Sequence, residues 1–145
     1  MASSALSVTA WGAPCGGVRV GGAVAGADAA GGGGGDAEEV VQLYVATPDA
    51  TVPAPQLRPA ALARVGVPAG GSTRVSLSVP AEARAVLSAA GAAMAGDANY
   101  QAGGEMELQP GRIALHVGGG EPGFGAPTLE ATVRVVGSTT KLAAC

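Results

Sequence analysis

Residues 39–46, Glu-Val-Val-Gln-Leu-Tyr-Val-Ala, read as a β-strand before anything else. β-Branched and aromatic side chains suit a pleated, half-buried surface. Successive residues of a strand face opposite ways, so Val41, Leu43 and Val45 line one face and Val40, Gln42 and Tyr44 the other. The first row is expected in a core. The second is half apolar and is expected to be partly covered.

The same period of two recurs along the chain. Val75, Leu77 and Val79 alternate with Arg74, Ser76 and Ser78. Ile113, Leu115 and Val117 alternate with Ala114 and His116, and Leu129, Ala131, Val133 and Val135 alternate with Glu130, Thr132 and Arg134. Each pattern predicts one buried and one wet face. Weaker strands are expected from Val18 to Val24, from Leu62 to Val67, and at Met106 and Leu108. One stretch changes period: Ala83, Val86, Leu87 and Ala90 recur at i, i+3, i+4 and i+7 between Pro80 and Gly91. That spacing predicts a helix of two or three turns.

The intervening segments are turns and loops by composition. Glycine (25) and proline (10) make up about a quarter of the 145 residues, which suits many short strands joined by turns. Gly31–Gly35 is a flexible loop. Thr47–Gln56 carries Pro48, Pro53 and Pro55, so it runs extended without ladder pairing. Pro68–Ser72 and Gln109–Arg112 are turns, Met94–Gly104 is expected to be mobile, and a second glycine-rich loop spans Gly118–Pro127. Residues 1–17 show no firm period and form an irregular lead, residues 137–145 a tail. About seven strands with one short helix remain in residues 18–136, the pattern of an all-β, immunoglobulin-like sandwich. No fixed-period repeat points to a solenoid or propeller.

Composition narrows the function classes. The chain is 48% hydrophobic and 13% charged, enough apolar material for one core. Aromatics are 3%: Trp11, Tyr44, Tyr100 and Phe124, so the core must be built from Val, Leu, Ile and Ala. Net charge is −3 without a basic cluster, which leaves nucleic acid no electrostatic footprint. No apolar run reaches the ~18 residues of a membrane span. The opening Met-Ala-Ser-Ser-Ala-Leu-Ser-Val has no basic region and does not read as a secretory signal, so the expectation is a protein that is not exported or a chain without its true N-terminus. The two cysteines, Cys15 and Cys145, are read as unrelated thiols. If the first and last strands run the same way, the tail after Val136 would have to fold back to join them.

An ordered set of motifs then points to a family. Val-Val-Gln-Leu-Tyr-Val (40–45) is followed by a proline-rich crossing that ends in Pro-Gln-Leu (55–57), by Arg64-Val65, by the turn Pro68–Ser72, and by Pro110-Gly111 leading into Val117-Gly118. In order and spacing, over roughly residues 18–125, this resembles the fibronectin type III-like domain that closes many glycoside hydrolase family three enzymes. Two departures stand out. Pro59-Ala-Ala-Leu62 replaces the family's Gly-Phe pair, with Leu62 in the aromatic's place and about two extra residues. The first strand runs into polyglycine where the family has Asn-Gly. The resemblance implies an extracellular parent enzyme acting on β-glucosidic or β-xylosidic bonds, with its nucleophilic Asp and acid/base Glu in other domains. It implies the catalytic domains as partner and carries no catalytic residue onto any position here.

The residues themselves agree that no cofactor, metal or catalytic site is expected. A glycosidase needs two carboxylates facing each other across the scissile bond. Of Asp28, Asp36, Glu38, Glu39, Asp49, Glu82, Asp97, Glu105, Glu107, Glu121 and Glu130, nearly all fall in loops or on wet faces, and Glu105 and Glu107 share a strand face as a solvated edge would. His116 is the sole histidine and lies on the outward parity of its strand, without Cys or acid partners at zinc-ligand spacing. Gly31–Gly35 leads into Asp36, Glu38 and Glu39, which would repel phosphate, and neither glycine run is followed by a Lys. The expected function is therefore a non-catalytic accessory domain. The alternative is an independent carbohydrate-binding module, with Phe124 as the exposed platform for a polysaccharide. A stand-alone hydrolase ranks last.

Overall fold

The alternating segments do form two facing layers. The computed structural model describes residues 6–11, 15–25, 36–88 and 104–145. One layer is an antiparallel sheet in the order β1(Ser7–Ala10), β2(Val18–Ala25), β5(Ser72–Val79). The other is ordered β4(Arg58–Val67), β3(Ala37–Ala46), β8(Gly111–Gly118), β9(Thr128–Val135). A small third sheet joins β6(Val86–Leu87), β7(Met106–Leu108) and β10(Thr140–Lys141).

The core lies between the layers and is aliphatic. Val41, Leu43 and Val45 of β3, Ile113 and Leu115 of β8, Val135 of β9, Val18 and Val20 of β2, and Val75, Leu77 and Val79 of β5 are all buried. Ala131 and Val133 pack against this cluster from β9, and Ala61, Ala63 and Val65 from β4. These are the rows that the period of two assigns inward, because one face of each strand must leave water.

Several expectations are corrected. Ser7–Ala10, placed in an irregular lead, is a strand that pairs with Gly21–Val18 of β2. β4 starts at Arg58 rather than Leu62. Its register with β3 shifts between Leu43 and Tyr44, with Pro59 opposite Tyr44. The shift leaves Ala60 without a ladder partner and puts Pro59 on an edge strand, where a missing N–H is tolerated.

The helix is a single turn, α1(Ala81–Arg84), not two or three. Ala85 is already extended, and Val86 and Leu87 pair with Glu107 and Met106 instead. Tertiary pairing thus overrides the helical spacing. The Arg58 guanidinium donates 2.9 Å hydrogen bonds to the carbonyls of Glu82 and Ala85, which satisfies groups that a longer helix would have used itself. Gly91 and the stretch expected to be mobile, apart from Gly104, lie outside the described residues, as does Gly31–Gly35.

The cysteines are not unrelated: Cys15 and Cys145 form a disulfide, with Cα atoms 5.3 Å apart. The tail does fold back. Gly137 adopts a positive φ of 118°, a conformation open to glycine. Thr140 and Lys141 then pair with Leu108 and Glu107, and a 3₁₀ turn at Leu142–Ala144 delivers Cys145 to the β1–β2 connection.

Candidate functional site

The outer face of the four-stranded sheet gathers the polar and aromatic residues of β3. Tyr44 lies opposite His116, and His116 opposite Glu130, so the three form one row across β3, β8 and β9. The next row runs Leu62, Gln42, Gly118, Thr128, and beyond it Arg64 faces Val40. The Tyr44 hydroxyl donates to Gln42 Oε1 at 2.7 Å, which joins the two side chains on their shared face. His116 Nδ1 sits 3.2 Å from Glu130 Oε1, an ion pair when the imidazole is protonated, but the two atoms are not aligned as a hydrogen bond. Leu62, 73% exposed, and Val40, 36% exposed, are neighbours on this face. Along β3–β4 the face mixes apolar Val40 and Leu62 with Gln42, Tyr44 and the exposed Glu38–Arg64 ion pair, and toward β9 it carries His116 and Glu130. Leu62 does not replace a packed aromatic within the chain; it points to solvent.

The acids are dispersed. Asp49 is bound to Arg112, Glu38 to Arg64 at 3.1 Å, and Glu105 to Lys141 at 2.6 Å. Glu107 accepts a 2.7 Å hydrogen bond from Gln109 Nε2. Asp28 and Asp97 lie outside the described residues. Among the described residues no group of three or more His, Cys, Asp or Glu gathers to hold a metal. A cleft of about 500 Å³ opens between the layers, lined by Leu6, Val20, Val24, Val41, Leu77 and Leu129 among others, and Glu39 is its one acidic lining residue. A pair of carboxylates across a glycosidic bond has no counterpart there. None of the described helices is long and apolar enough to cross a membrane.

The described aromatics Trp11, Tyr44 and Phe124 lie in separate segments: the β1–β2 connection, β3 and the β8–β9 loop. Phe124 is 81% exposed in the β8–β9 loop. Trp11 lies against Gly17, where a Cβ would stand 2.2 Å from its ring, and Arg19 sits 5.6 Å from the ring centroid. Tyr100 lies outside the described residues.

Two structural residues escape the sequence reading. Arg84 is buried and donates a hydrogen bond from Nη2 to the Gly16 carbonyl at 2.5 Å, fixing the β1–β2 connection; burial pushes its pKa down. Asp49 accepts from the backbone N–H of Arg112 at 2.9 Å and from its guanidinium Nη2 at 2.7 Å. The lone charge in the apolar run Ala83-Arg84-Ala85 was the available sign of the first. The second pairs residues 63 apart and leaves no local trace.

Two facing antiparallel layers around an aliphatic core define an all-β sandwich of the fibronectin type III-like class. The chain belongs to the family described as fibronectin type III-like domain, whose model matches residues 39–121, more than half its length. Similar solved structures are the GH3 beta-glucosidase of Bifidobacterium adolescentis (TM-score 0.59, 19% identity, covering 92% of this chain and 17% of that one), beta-glucosidase 3B of Thermotoga neapolitana (0.64, 18%, 97% and 17%), and DesR, a beta-glucosidase of Streptomyces venezuelae (0.64, 21%, 94% and 15%). At these identities the likeness is one of fold. The chain spans about a sixth of those enzymes' length. A search among curated protein sequences finds no match.

Proposed function

We propose that this chain acts as a non-catalytic accessory domain of a family three glycosidase and braces its catalytic domains. The observation that carries this reading is one of proportion: almost the whole chain aligns with a small part of each beta-glucosidase, 92% against 17% in the first case. A module of that kind contributes by burying apolar surface against its neighbours, typically about 600–1,500 Å² between domains of one chain. The outer face bearing Val40, Tyr44 and Leu62 is the surface assigned to that contact. The bonds cleaved by the parent enzyme would be β-glucosidic, by analogy with the similar structures, and the reacting carboxylates would lie outside these residues.

The test is thermal unfolding of the longer glycosidase polypeptide with Leu62→Asp. Its melting temperature is expected to fall by several degrees, while the same substitution leaves the isolated chain's melting temperature within about a degree, as for an exposed site. An unchanged melting temperature in the longer polypeptide would refute the assigned contact. Turnover of an aryl β-glucoside by the pure chain would refute the non-catalytic role.

A further inference from the structure

We infer that residues 137–145 form a strap across β7 whose latch is the Cys15–Cys145 disulfide, so that the strap is released under thiol-reducing conditions while the sandwich stays folded. The strap runs from Gly137 along β7 and ends at the β1–β2 connection, a return of 130 residues in sequence. Its other ties are slight. Only Thr140 and Lys141 join the ladder, the Lys141–Glu105 ion pair is exposed on both sides, and the 3₁₀ turn buries no residue. Exposed ion pairs and two-residue ladders contribute little by themselves. Beside the strap, Leu108 of β7, the ladder partner of Thr140, is fully buried, and Leu142–Ala144 touches the same strand.

The core is independent of this arrangement. Leu43, Val45, Leu115, Val20 and Val79 belong to the two main sheets, and no residue of 137–145 is part of their cluster. Breaking the latch therefore frees the strap and uncovers one edge of β7, an unpaired row of backbone groups. The chemistry is ordinary exchange. A thiolate of a dithiol reductant attacks one sulfur, the S–S bond breaks, and the other cysteine leaves as a thiolate. The reductant's second thiol then displaces the first cysteine and closes its own disulfide. Two electrons pass to the protein, and the two protons lost by the dithiol leave both cysteines as thiols. A latch of this kind stays closed in an oxidising compartment.

Amide hydrogen exchange on the 145-residue chain tests the inference, comparing the oxidised protein with the protein in dithiothreitol and with Cys145→Ser. Exchange across residues 140–145 is expected to rise at least tenfold in both, with the amides of Leu43 and Leu115 changing less than twofold. Strap exchange that stays within twofold of the oxidised protein overturns the latch. Core amides that lose protection by the same factor as the strap overturn it too, because the disulfide would then hold the whole sandwich. Two thiols titrating in the folded, unreduced chain would also refute it.

Discussion

Asp49 and Arg112 meet in a forked ion pair that ties the proline-rich loop after β3 to the first residues of β8. The carboxylate accepts from Arg112 Nη2 at 2.7 Å, from Nε at 3.0 Å and from its backbone N–H at 2.9 Å. Nearby, the Thr51 N–H donates to Gln109 Oε1 at 2.8 Å, so the loop is held at two points. Side-chain and backbone hydrogen bonds from Arg112 bring the Asp49 pKa down from 3.8 to about 2. The folded-state value lies below the unfolded one, so the stabilisation is present above about pH 4 and is lost as pH falls toward 2. Melting curves of wild type and Asp49→Asn at low salt should therefore differ above pH 5 and converge between about pH 4 and pH 2. A gap that stays constant with pH would contradict this account of the clamp.

The approach of Asp49 depends on Gly111. Its φ is 138°, and a Cβ there would stand 2.8 Å from Asp49 Cβ. Gly111→Ala combines a disfavoured backbone conformation with a clash, and urea unfolding is expected to show a loss of about 1–3 kcal/mol. Gly66→Ala is the control, since nothing lies within 4 Å of its Cβ position and its φ is ordinary. Equal effects of the two substitutions would remove Gly111 from the clamp.

The main strands were legible because burial in a strand is a local, two-residue rhythm. Val41, Leu43 and Val45, and likewise Val75, Leu77 and Val79, face inward as their alternation requires. What stayed hidden depends on where distant segments come to rest. Ser7–Ala10 and Thr140–Lys141 are too short to show a rhythm, and they are strands because β2 and β7 offer them a partner. The helical spacing picks out Ala83 and Val86 as buried, with Leu87 only partly so, yet burial came through pairing with β7 rather than through more helix. The outer face was half legible: the apolar character of Val40 and Tyr44 is local, whereas the proximity of Leu62 to Val40 and of Tyr44 to His116 follows from strand register.

Among the described residues the buried core holds no aromatic side chain, so its large aliphatic residues carry the packing. Leu115 is fully buried at the centre of the four-stranded sheet. Leu115→Ala is expected to cost about 2–5 kcal/mol in chemical denaturation of the isolated chain. Leu62→Ala, at an exposed position, should change it by no more than about 0.5 kcal/mol. Similar losses at both positions would mean that the outer face is already packed within this chain.

The proposed bracing role stands or falls with the state of Leu62 when this chain is joined to the catalytic domains of a family three glycosidase. Carbene footprinting reads side-chain accessibility directly and can compare the isolated chain with the longer glycosidase polypeptide. Heavy labelling of Leu62 in the isolated chain and strong protection in the longer one is the predicted result. Equal labelling of Leu62 in both would show that this face is turned to solvent in the longer polypeptide too, and would contradict the brace.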